Sequence, residues 1–310
     1  MMSAPEFAHV PVMRDEIVAL FASVPRGFVL DATLGGAGHA VALLEAHEHL
    51  SILGVDRDPN ALAAARARLN VYADRVRTSH RRFDDIDGAL DDAEVSELSG
   101  ALFDLGVSSH QFDAPERGFS YRQSAPLDMR MNPMDRGTAD DLVNEADEST
   151  LARILRDYSD ERFAGRIARA IVAARPIHDT VALADIVAAA IPAPARRRGG
   201  HPAKRTFQAL RIAVNSELEI LPTTLDRVIG RTVRGGRVAV LSYHSGEDRI
   251  VKERFRFHST GGCTCPRQLP CGCGAVSTVR LVRTTSTPSD IEVESNPRSA
   301  SARLRVVEVI

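Results

Sequence analysis

The chain has 310 residues, 44% of them hydrophobic and 26% charged, and its formal net charge is −2. This composition is typical of a globular protein and excludes both a disordered chain and a polycation, so any charge that binds nucleic acid must be local. The sequence contains no apolar run of about 18 residues, so we predict no transmembrane helix. The first residues also lack the basic and apolar regions of a signal peptide, so we expect a cytoplasmic protein without membrane association.

The first third of the chain alternates short apolar runs with helical patterns. Runs that end at Asp31, Asp56 and Asp104 predict buried strands, and residues 76–79 predict a weaker one. Residues 60–69 are rich in Ala, Leu and Arg and predict a helix. This alternation indicates a parallel sheet with right-handed crossovers.

A long segment separates the fourth predicted strand from the next one, at residues 237–243. A single crossover needs only about 30 residues, whereas this segment is several times longer. Residues 142–191 carry helical periodicity and are followed by Pro192 and Pro194, which should end the last helix, and residues 207–221 predict one long amphipathic helix. We therefore expect a helical insertion.

The expected division is a core at residues 1–120, a helical substrate-recognition insertion at 121–206 and a second core part at 207–310. Two closing strands are predicted at 276–282 and 303–309. A C-terminal hairpin that closes a parallel sheet is the seven-stranded, Rossmann-like α/β pattern of class I methyltransferases. The predicted fold is that core with an all-helical insertion.

Three carboxylates follow strands of this sheet, where ligands bind in such folds. Asp31 leads into a glycine-rich loop at residues 35–38, and Asp56 follows Gly38 at a spacing that suits a carboxylate accepting hydrogen bonds from two ribose hydroxyls. The loop alone could be a tight turn, and Asp104 alone could cap one. The loop together with Asp56 favours an adenosine-bearing ligand, which at this point is either NAD or S-adenosylmethionine.

An ordered series of motifs then resembles the RsmH (MraW) family of small-subunit ribosomal RNA cytosine-N4 methyltransferases, along nearly the whole chain. The blocks are HVPV (9–12), DATLGGAGH (31–39), DRDP (56–59), DLGVSS (104–109), RGFS (117–120), PLDMRM (126–131), ERF (161–163), RIARAI (166–171), RTFQA (205–209), VNSE (214–217), GGR (235–237), HS (244–245), EDRIVK (247–252) and NPR (296–298).

The resemblance implies S-adenosyl-L-methionine as the cofactor and the RNA of the small ribosomal subunit as the partner, and it leaves a homodimer open by analogy alone. It also implies a set of cofactor contacts: Ala37, Gly38 and His39 at the methionine end, Asp56 on the ribose, Phe83 along the adenine, and Asp104 with Gln111 near the reacting end.

The sequence departs from the family in three places. Ala37 stands at a position that is usually glycine, and we expect a negative φ there because an alanine with positive φ would cost about 1 kcal/mol or more. His110 stands where proline is common and is either a surface residue or a proton carrier. Gly246 stands at a position where the family often has leucine.

Methylation of an exocyclic amine requires a group that accepts a hydrogen bond from that amine. The candidates are Asp104, Ser109 beside Ser108, and His244. Asp104 is either such an acceptor or purely a cofactor contact, and His244 is either a neutral hydrogen-bond partner or a proton acceptor. Asp128 and Arg130 are interpreted as a structural ion pair in preference to part of a cytosine pocket.

Two local clusters remain. The first is basic and is interpreted as a phosphate-binding surface in preference to a merely solvated face; it comprises Arg196, Arg197, Arg198, His201, Lys204, Arg205 and Arg211. The second holds all four cysteines, Cys263, Cys265, Cys271 and Cys273. Two C-x-C pairs are tighter than a common zinc knuckle, so we predict no metal, with zinc as the alternative.

Two other functions compete with methyl transfer. A nucleotide-cofactor oxidoreductase is disfavoured because no separate hydride-accepting substrate domain is apparent. A ribosome-assembly factor could bind the cofactor or RNA without chemistry. A methyl-transfer assay on small subunits distinguishes all three.

Overall fold

The computed structural model describes residues 10–196, 200–266 and 272–310. The chain forms two compact units. The first, the sheet unit, comprises Met1–Gly106 and Leu221–Ile310, and the second, the helical unit, comprises Val107–Ile220. The helical unit is wider at both ends than the predicted insertion, 121–206.

A seven-stranded sheet forms the centre of the sheet unit, with the order β3-β2-β1-β4-β5-β7-β6. Its strands are β1 (Gly27–Asp31), β2 (Leu50–Asp56), β3 (Val76–His80), β4 (Leu98–Asp104), β5 (Thr232–Ser242), β6 (Val279–Leu281) and β7 (Arg303–Val309). The first five strands pair in parallel, and β7 pairs antiparallel with both β5 and β6. The predicted fold class is therefore confirmed.

The α-helices have the following bounds: α1 (Arg14–Phe21), α2 (Gly38–Ala46), α3 (Pro59–Leu69), α4 (Ile86–Asp92), α5 (Ser109–Asp113), α6 (Ala139–Glu145), α7 (Glu148–Ser159), α8 (Ala164–Ala173), α9 (Thr180–Ala190), α10 (Ala193–Arg196), α11 (Lys204–Asn215), α12 (Glu217–Arg231), α13 (Ser245–Thr260) and α14 (Asp290–Ser295). Within the described ranges, no helix is both long enough and apolar enough to cross a membrane.

Both faces of the sheet are covered, because alternate strand residues enter two separate apolar cores. Val29 of β1 packs with α1, α2 and α3, whereas Leu30, its neighbour, packs with α4, α12 and α13. Leu102 and Phe103 of β4 divide in the same way. Strands buried on both faces explain why the sequence shows continuous apolar runs and no polar alternation.

The helical unit has its own core, which forms because α7, α8 and α9 each bury one apolar stripe. Leu151 and Leu155 of α7 and Ile167 and Ile171 of α8 are fully buried there. The spacing of four residues within each pair places the two side chains on one face of their helix.

Three predicted elements differ from the structure. The single helix expected over 207–221 is divided between α11 and α12 at Ser216, whose φ is +52°. The last predicted helix does end before Pro192, because α9 stops at Ala190. Pro194, however, lies inside the short α10, near its start, where proline lacks only a hydrogen bond that a first turn does not use. The strand expected over 276–282 is limited to β6, three residues long.

Candidate active site

The carboxylate of Asp56 organises the loop that follows β1. Asp56 ends β2, and its two oxygens accept backbone N–H groups from Gly35, at 2.7 Å, and from Asp58, at 2.8 Å. Burial raises the pKa of Asp56, and these two donors oppose that rise. The side chain is only partly buried, and each carboxylate oxygen has a second lone pair, so it can accept further hydrogen bonds from a ligand.

Ala37 has a left-handed backbone conformation, in contrast to the negative φ expected from the sequence. Its φ is +61° and its ψ 26°, and it is the N-cap of α2. The prediction of a negative φ was therefore wrong: a tight turn leads into α2, and the Ala37 N–H donates to the Leu34 carbonyl at 2.7 Å. Left-handed backbone at this point is why glycine suits the position and why alanine is strained.

His39 lies in the first turn of α2 and is almost fully buried, at 5% exposure. Neither ring nitrogen has a hydrogen-bond partner among the described residues. Its Nε2 lies 3.6 Å from Oδ2 of Asp104, which is beyond hydrogen-bond distance. Buried polar atoms are rarely left without a partner, so these nitrogens point to a polar ligand group.

Asp31 is the most deeply buried of the three strand-end carboxylates. Burial raises its pKa to about 7; His39 opposes this rise, and the negative charges of Asp104 and Asp56 add to it. The Thr33 N–H donates to its Oδ1 at 3.3 Å. These mutual electrostatic effects mean that the three carboxylates and His39 form one cluster at the carboxyl edge of the sheet, as the strand ends predict.

Tyr243 holds Asp104 in place, a contact that the sequence analysis did not identify. The phenol directly follows β5 and donates a hydrogen bond of 2.6 Å to Asp104 Oδ1. The Asp104 N–H donates to Thr33 Oγ1 at 2.7 Å, which fixes the end of β4. Burial first, and then the charge of Asp104, raise the pKa of Tyr243 well above its usual value. The phenol thus remains a donor.

Phe83 follows β3 and is partly buried. Its ring meets that of Phe103 edge to face, with centroids 6.0 Å apart and an interplanar angle of 85°. This contact fixes an aromatic ring one strand away from Asp56. The position suits an adenine contact, which stays a prediction.

Gln111 and Ser109 belong to the helical unit, whereas the other predicted site residues belong to the sheet unit. The Gln111 side chain is buried, and its Oε1 accepts the Ser108 N–H in a capping box at the start of α5. Ser109 is the first residue of α5, and its side chain and that of His110 lie outside the part that the structure describes. Their proposed roles stay predictions.

His244 is the N-cap of α13. The Glu247 N–H donates to its Nδ1 at 3.4 Å, and its Nε2 lies 3.1 Å from the Glu247 carboxylate. Glu247 in turn accepts the N–H groups of Tyr243 and His244. These contacts give His244 a structural role in starting the helix, so a role in proton transfer stays a prediction.

Asp128 and Arg130 form an ion pair, which is the interpretation preferred from the sequence. The guanidinium Nε and Nη2 of Arg130 donate to the two carboxylate oxygens of Asp128 at 2.7 and 2.8 Å. Arg130 also donates to the Asp135 carbonyl at 2.8 Å. Hydrogen bonds from Arg130 hold the pKa of Asp128 below its usual value, although burial alone would raise it. The pair therefore stabilises the loop that precedes α6.

One predicted member of the basic cluster has another role. Arg211 pairs with Glu217 through two hydrogen bonds of 2.9 and 3.0 Å, with both side chains mostly buried, so its charge is neutralised inside the helical unit. Arg196, Lys204 and Arg205 are exposed. The further members Arg197 and Arg198 lie outside the described residues, as does His9 of the first motif.

An aromatic stack adjoins the exposed cations of the helical unit. Tyr121 and His201 stack with ring centroids 4.4 Å apart and an interplanar angle of 16°. Tyr121 also meets Phe207 edge to face. His201 is exposed, so this unit presents both positive charge and a ring surface to solvent, the two features that bind unpaired nucleotides.

Comparison with known proteins gives consistent matches over nearly the whole chain. The model of the MraW methylase family matches residues 6–310. A ribosomal RNA small subunit methyltransferase H of Heliobacterium mobile is 46% identical over 98% of this chain and 100% of its own length. The protein of the same name from Thermobifida fusca is 50% identical over 98% of this chain and 94% of its own.

Proposed function

The chain belongs to the MraW methylase family, and from this we propose that it transfers a methyl group from S-adenosylmethionine to the N4 amine of a cytosine in small-subunit (16S) ribosomal RNA. The observation that carries the proposal is the carboxylate cluster at the sheet edge. Its central contact is Asp56, which accepts backbone N–H groups from Gly35, in the loop after β1, and from Asp58. The names of the relatives supply the substrate.

The residues present fit this cofactor. The partly exposed Asp56 carboxylate can accept hydrogen bonds from two ribose hydroxyls while it keeps its backbone donors. The orphaned ring nitrogens of His39 suit the charged methionine end, beside the backbone of Ala37 and Gly38. Phe83 offers a ring to the adenine.

When bound, the cofactor supplies a methyl carbon on a sulfonium. The cytosine amine is a poor nucleophile because its lone pair is delocalised into the ring. The protein must therefore hold the amine nitrogen roughly 3–3.5 Å from the methyl carbon and accept a hydrogen bond from the amine. Asp104 suits this role. Tyr243 occupies its Oδ1, while Oδ2 lies beyond hydrogen-bond distance of His39.

The helical unit is proposed to bind the RNA. Its exposed cations Arg196, Lys204 and Arg205 suit backbone phosphates, and the stack of Tyr121 and His201 suits a base. A cytosine can be methylated only when it is unpaired or extruded, which requires a single-stranded or flipped target. Gln111 and Ser109 stay proposed contacts of the reaction centre.

Calorimetry of the full chain with S-adenosylmethionine and with its demethylated product tests the cofactor site. The parent should bind both, and Asp56→Ala should weaken both at least about tenfold, since two charge-assisted hydrogen bonds are lost. Asp74→Ala, which changes an exposed aspartate of the sheet unit, should bind like the parent. Equal affinity of Asp56→Ala and the parent would overturn the proposed site.

A further inference from the structure

A loop between α13 and β6 contains the four cysteines of the chain, none of which the proposed reaction uses. The structure describes three of them, and the Sγ atoms of Cys263, Cys265 and Cys273 all lie within 4.8 Å of one another. Cys271 lies outside the described residues. Cys263 and Cys273 lie on the two arms of the loop and are ten residues apart in sequence. Their approach is therefore a property of the fold.

The two arms are brought together by contacts at the base of the loop. Gly261 ends α13 with φ +60°, and a Cβ at this position would lie only 2.4–2.6 Å from the backbone of Val276 on the returning arm. The Thr278 N–H donates to the His258 carbonyl at 3.0 Å, and the His258 ring contacts Thr278 Oγ1 at 3.1 Å. The loop is therefore closed by protein contacts, independently of its sulfurs.

The sulfur positions match the requirements of a tetrahedral metal. A Zn–S bond of about 2.3 Å places two thiolates of one tetrahedron roughly 3.8 Å apart, within the observed limit. Cys263 and Cys265 are partly buried and Cys273 is exposed, so an ion can enter from solvent. Gly274, directly after Cys273, has φ +70°, a left-handed conformation that glycine adopts without strain.

The place of the cluster in the fold indicates a structural role. Because β7 is antiparallel to both neighbours, β6 runs in the same direction as β5. The loop enters β6 at its N-terminal end, whereas Asp31, Asp56 and Asp104 mark the carboxyl ends of the parallel strands. The cysteines therefore lie at the edge of the sheet opposite the carboxylate cluster.

We propose that Cys263, Cys265 and Cys273 bind one zinc ion that fastens the loop between α13 and β6. The expectation of no metal, drawn from the tight C-x-C spacing, is replaced because the fold brings Cys273 close to Cys263 and Cys265. Three thiolates and a further donor complete the four-coordinate geometry of a structural site, and binding releases the thiol protons to solvent.

Metal analysis of the purified full chain, prepared without chelator and without a polyhistidine tag, tests the proposal. We expect about one zinc ion per chain, and X-ray absorption should give at least three sulfur ligands. Cys263→Ser and Cys265→Ser should each lose most of the zinc and lower the thermal midpoint. Cys273→Ser, at an exposed site where folding is least affected, should also lose zinc. Thr264→Ser, between two of the cysteines, should keep it.

Cofactor affinity separates this proposal from the proposed function. Because the cluster lies at the opposite edge of the sheet, Cys273→Ser should bind S-adenosylmethionine like the parent. Cobalt(II) added to metal-free protein should give the visible bands of a tetrahedral thiolate site. The proposal is overturned if the folded protein neither holds zinc nor binds it on addition, if fewer than three sulfurs coordinate the metal, or if thiol counting under denaturing, oxygen-free conditions finds the cysteines in disulfides.

Discussion

Ala37 shows how a single backbone angle can decide the effect of a substitution. Its φ of +61° costs an alanine about 1 kcal/mol or more, whereas glycine loses about 0.4–1 kcal/mol more chain entropy on folding. We expect Ala37→Gly to leave the free energy of unfolding unchanged or to raise it by up to about 1 kcal/mol. Ala40→Gly, within the same helix, should lower it by about 1 kcal/mol or more. Urea unfolding measures both, and an equal loss would contradict the strain at Ala37.

Asp31 should make stability depend on pH. Its folded pKa of about 7 lies above the ordinary value of 3.8, so the folded state holds the proton more tightly than the unfolded chain. The stabilisation is complete below about pH 4 and is lost as the pH rises toward 7, by on the order of 4 kcal/mol at about 1.4 kcal/mol per unit.

Asp31→Asn should remove this dependence, because the amide is uncharged and its oxygen can still accept the Thr33 N–H. The variant should therefore unfold at higher urea concentration than the parent at about pH 8, with the difference disappearing near pH 4. Asp74→Asn, at an exposed position, should follow the parent. A stability gap that does not change with pH would refute the origin assigned to it.

Asp104 and Tyr243 should separate catalysis from binding. If Asp104 accepts the amine hydrogen, Asp104→Asn should lower turnover by on the order of 100-fold while cofactor affinity changes little. Tyr243→Phe removes the donor to Oδ1 and should lower turnover by about tenfold, again with little effect on cofactor affinity. Lost affinity with unchanged turnover in Asp104→Asn would instead make Asp104 purely a cofactor contact.

At the scale of elements, Asn215 joins the end of α11 to the loop that precedes α6. Its side chain is buried, accepts the Met131 N–H at 2.8 Å, and donates to the carbonyls of Met129 and Arg211 at 2.7 and 2.9 Å. Asn215→Ala should destabilise the protein by about 2–4 kcal/mol, since each lost bond contributes about 1 kcal/mol and leaves buried groups unpaired. Asn70→Ala, at an exposed position, should change stability by less than about 0.5 kcal/mol. Similar midpoints for the two variants would contradict this role.

The elements also show what sequence patterns can predict. Strand ends at Asp31, Asp56 and Asp104 were predictable because buried parallel strands form continuous apolar runs that stop at a polar residue. The break at Ser216 was not, because apolar periodicity continues from Phe207 through Leu221 while one left-handed residue redirects the chain. Apolar periodicity indicates which face of a helix is buried, but it contains no information on the sign of the backbone angle φ.

The candidate site also contains some features that the sequence predicts and others that it does not. The carboxylates and the glycine loop were predictable from their positions after strands. The Tyr243–Asp104 hydrogen bond joins residues 139 positions apart, and the pairing of Arg211 with Glu217 removes a cation from the basic cluster. Both depend on the approach of side chains, which spacing alone does not determine. The one available signal for Tyr243 was its position directly after β5, at the same edge as Asp104.

At the scale of the whole molecule, the helical unit exposes a local group of cations although the formal net charge is only −2. The exposed Arg196, Lys204 and Arg205 of the helical unit should contact phosphates. Replacing all three by alanine should weaken binding to small subunits and reduce the slope of log affinity against log salt by up to about 0.7–0.9 per lost contact. Arg77→Ala, exposed in the sheet unit, should leave the slope unchanged. An unchanged slope in the triple variant would place the RNA elsewhere.

The most direct measurement of the central claim follows labelled methyl groups from S-adenosylmethionine into small ribosomal subunits that lack the modification, with nucleoside analysis of the RNA. The account predicts that the parent protein places at most about one label per subunit, in N4-methylcytidine, and that Asp56→Ala causes a large loss of label. Bound cofactor without transfer would indicate an assembly factor, and label in any other nucleoside would contradict the assignment of the cytosine amine.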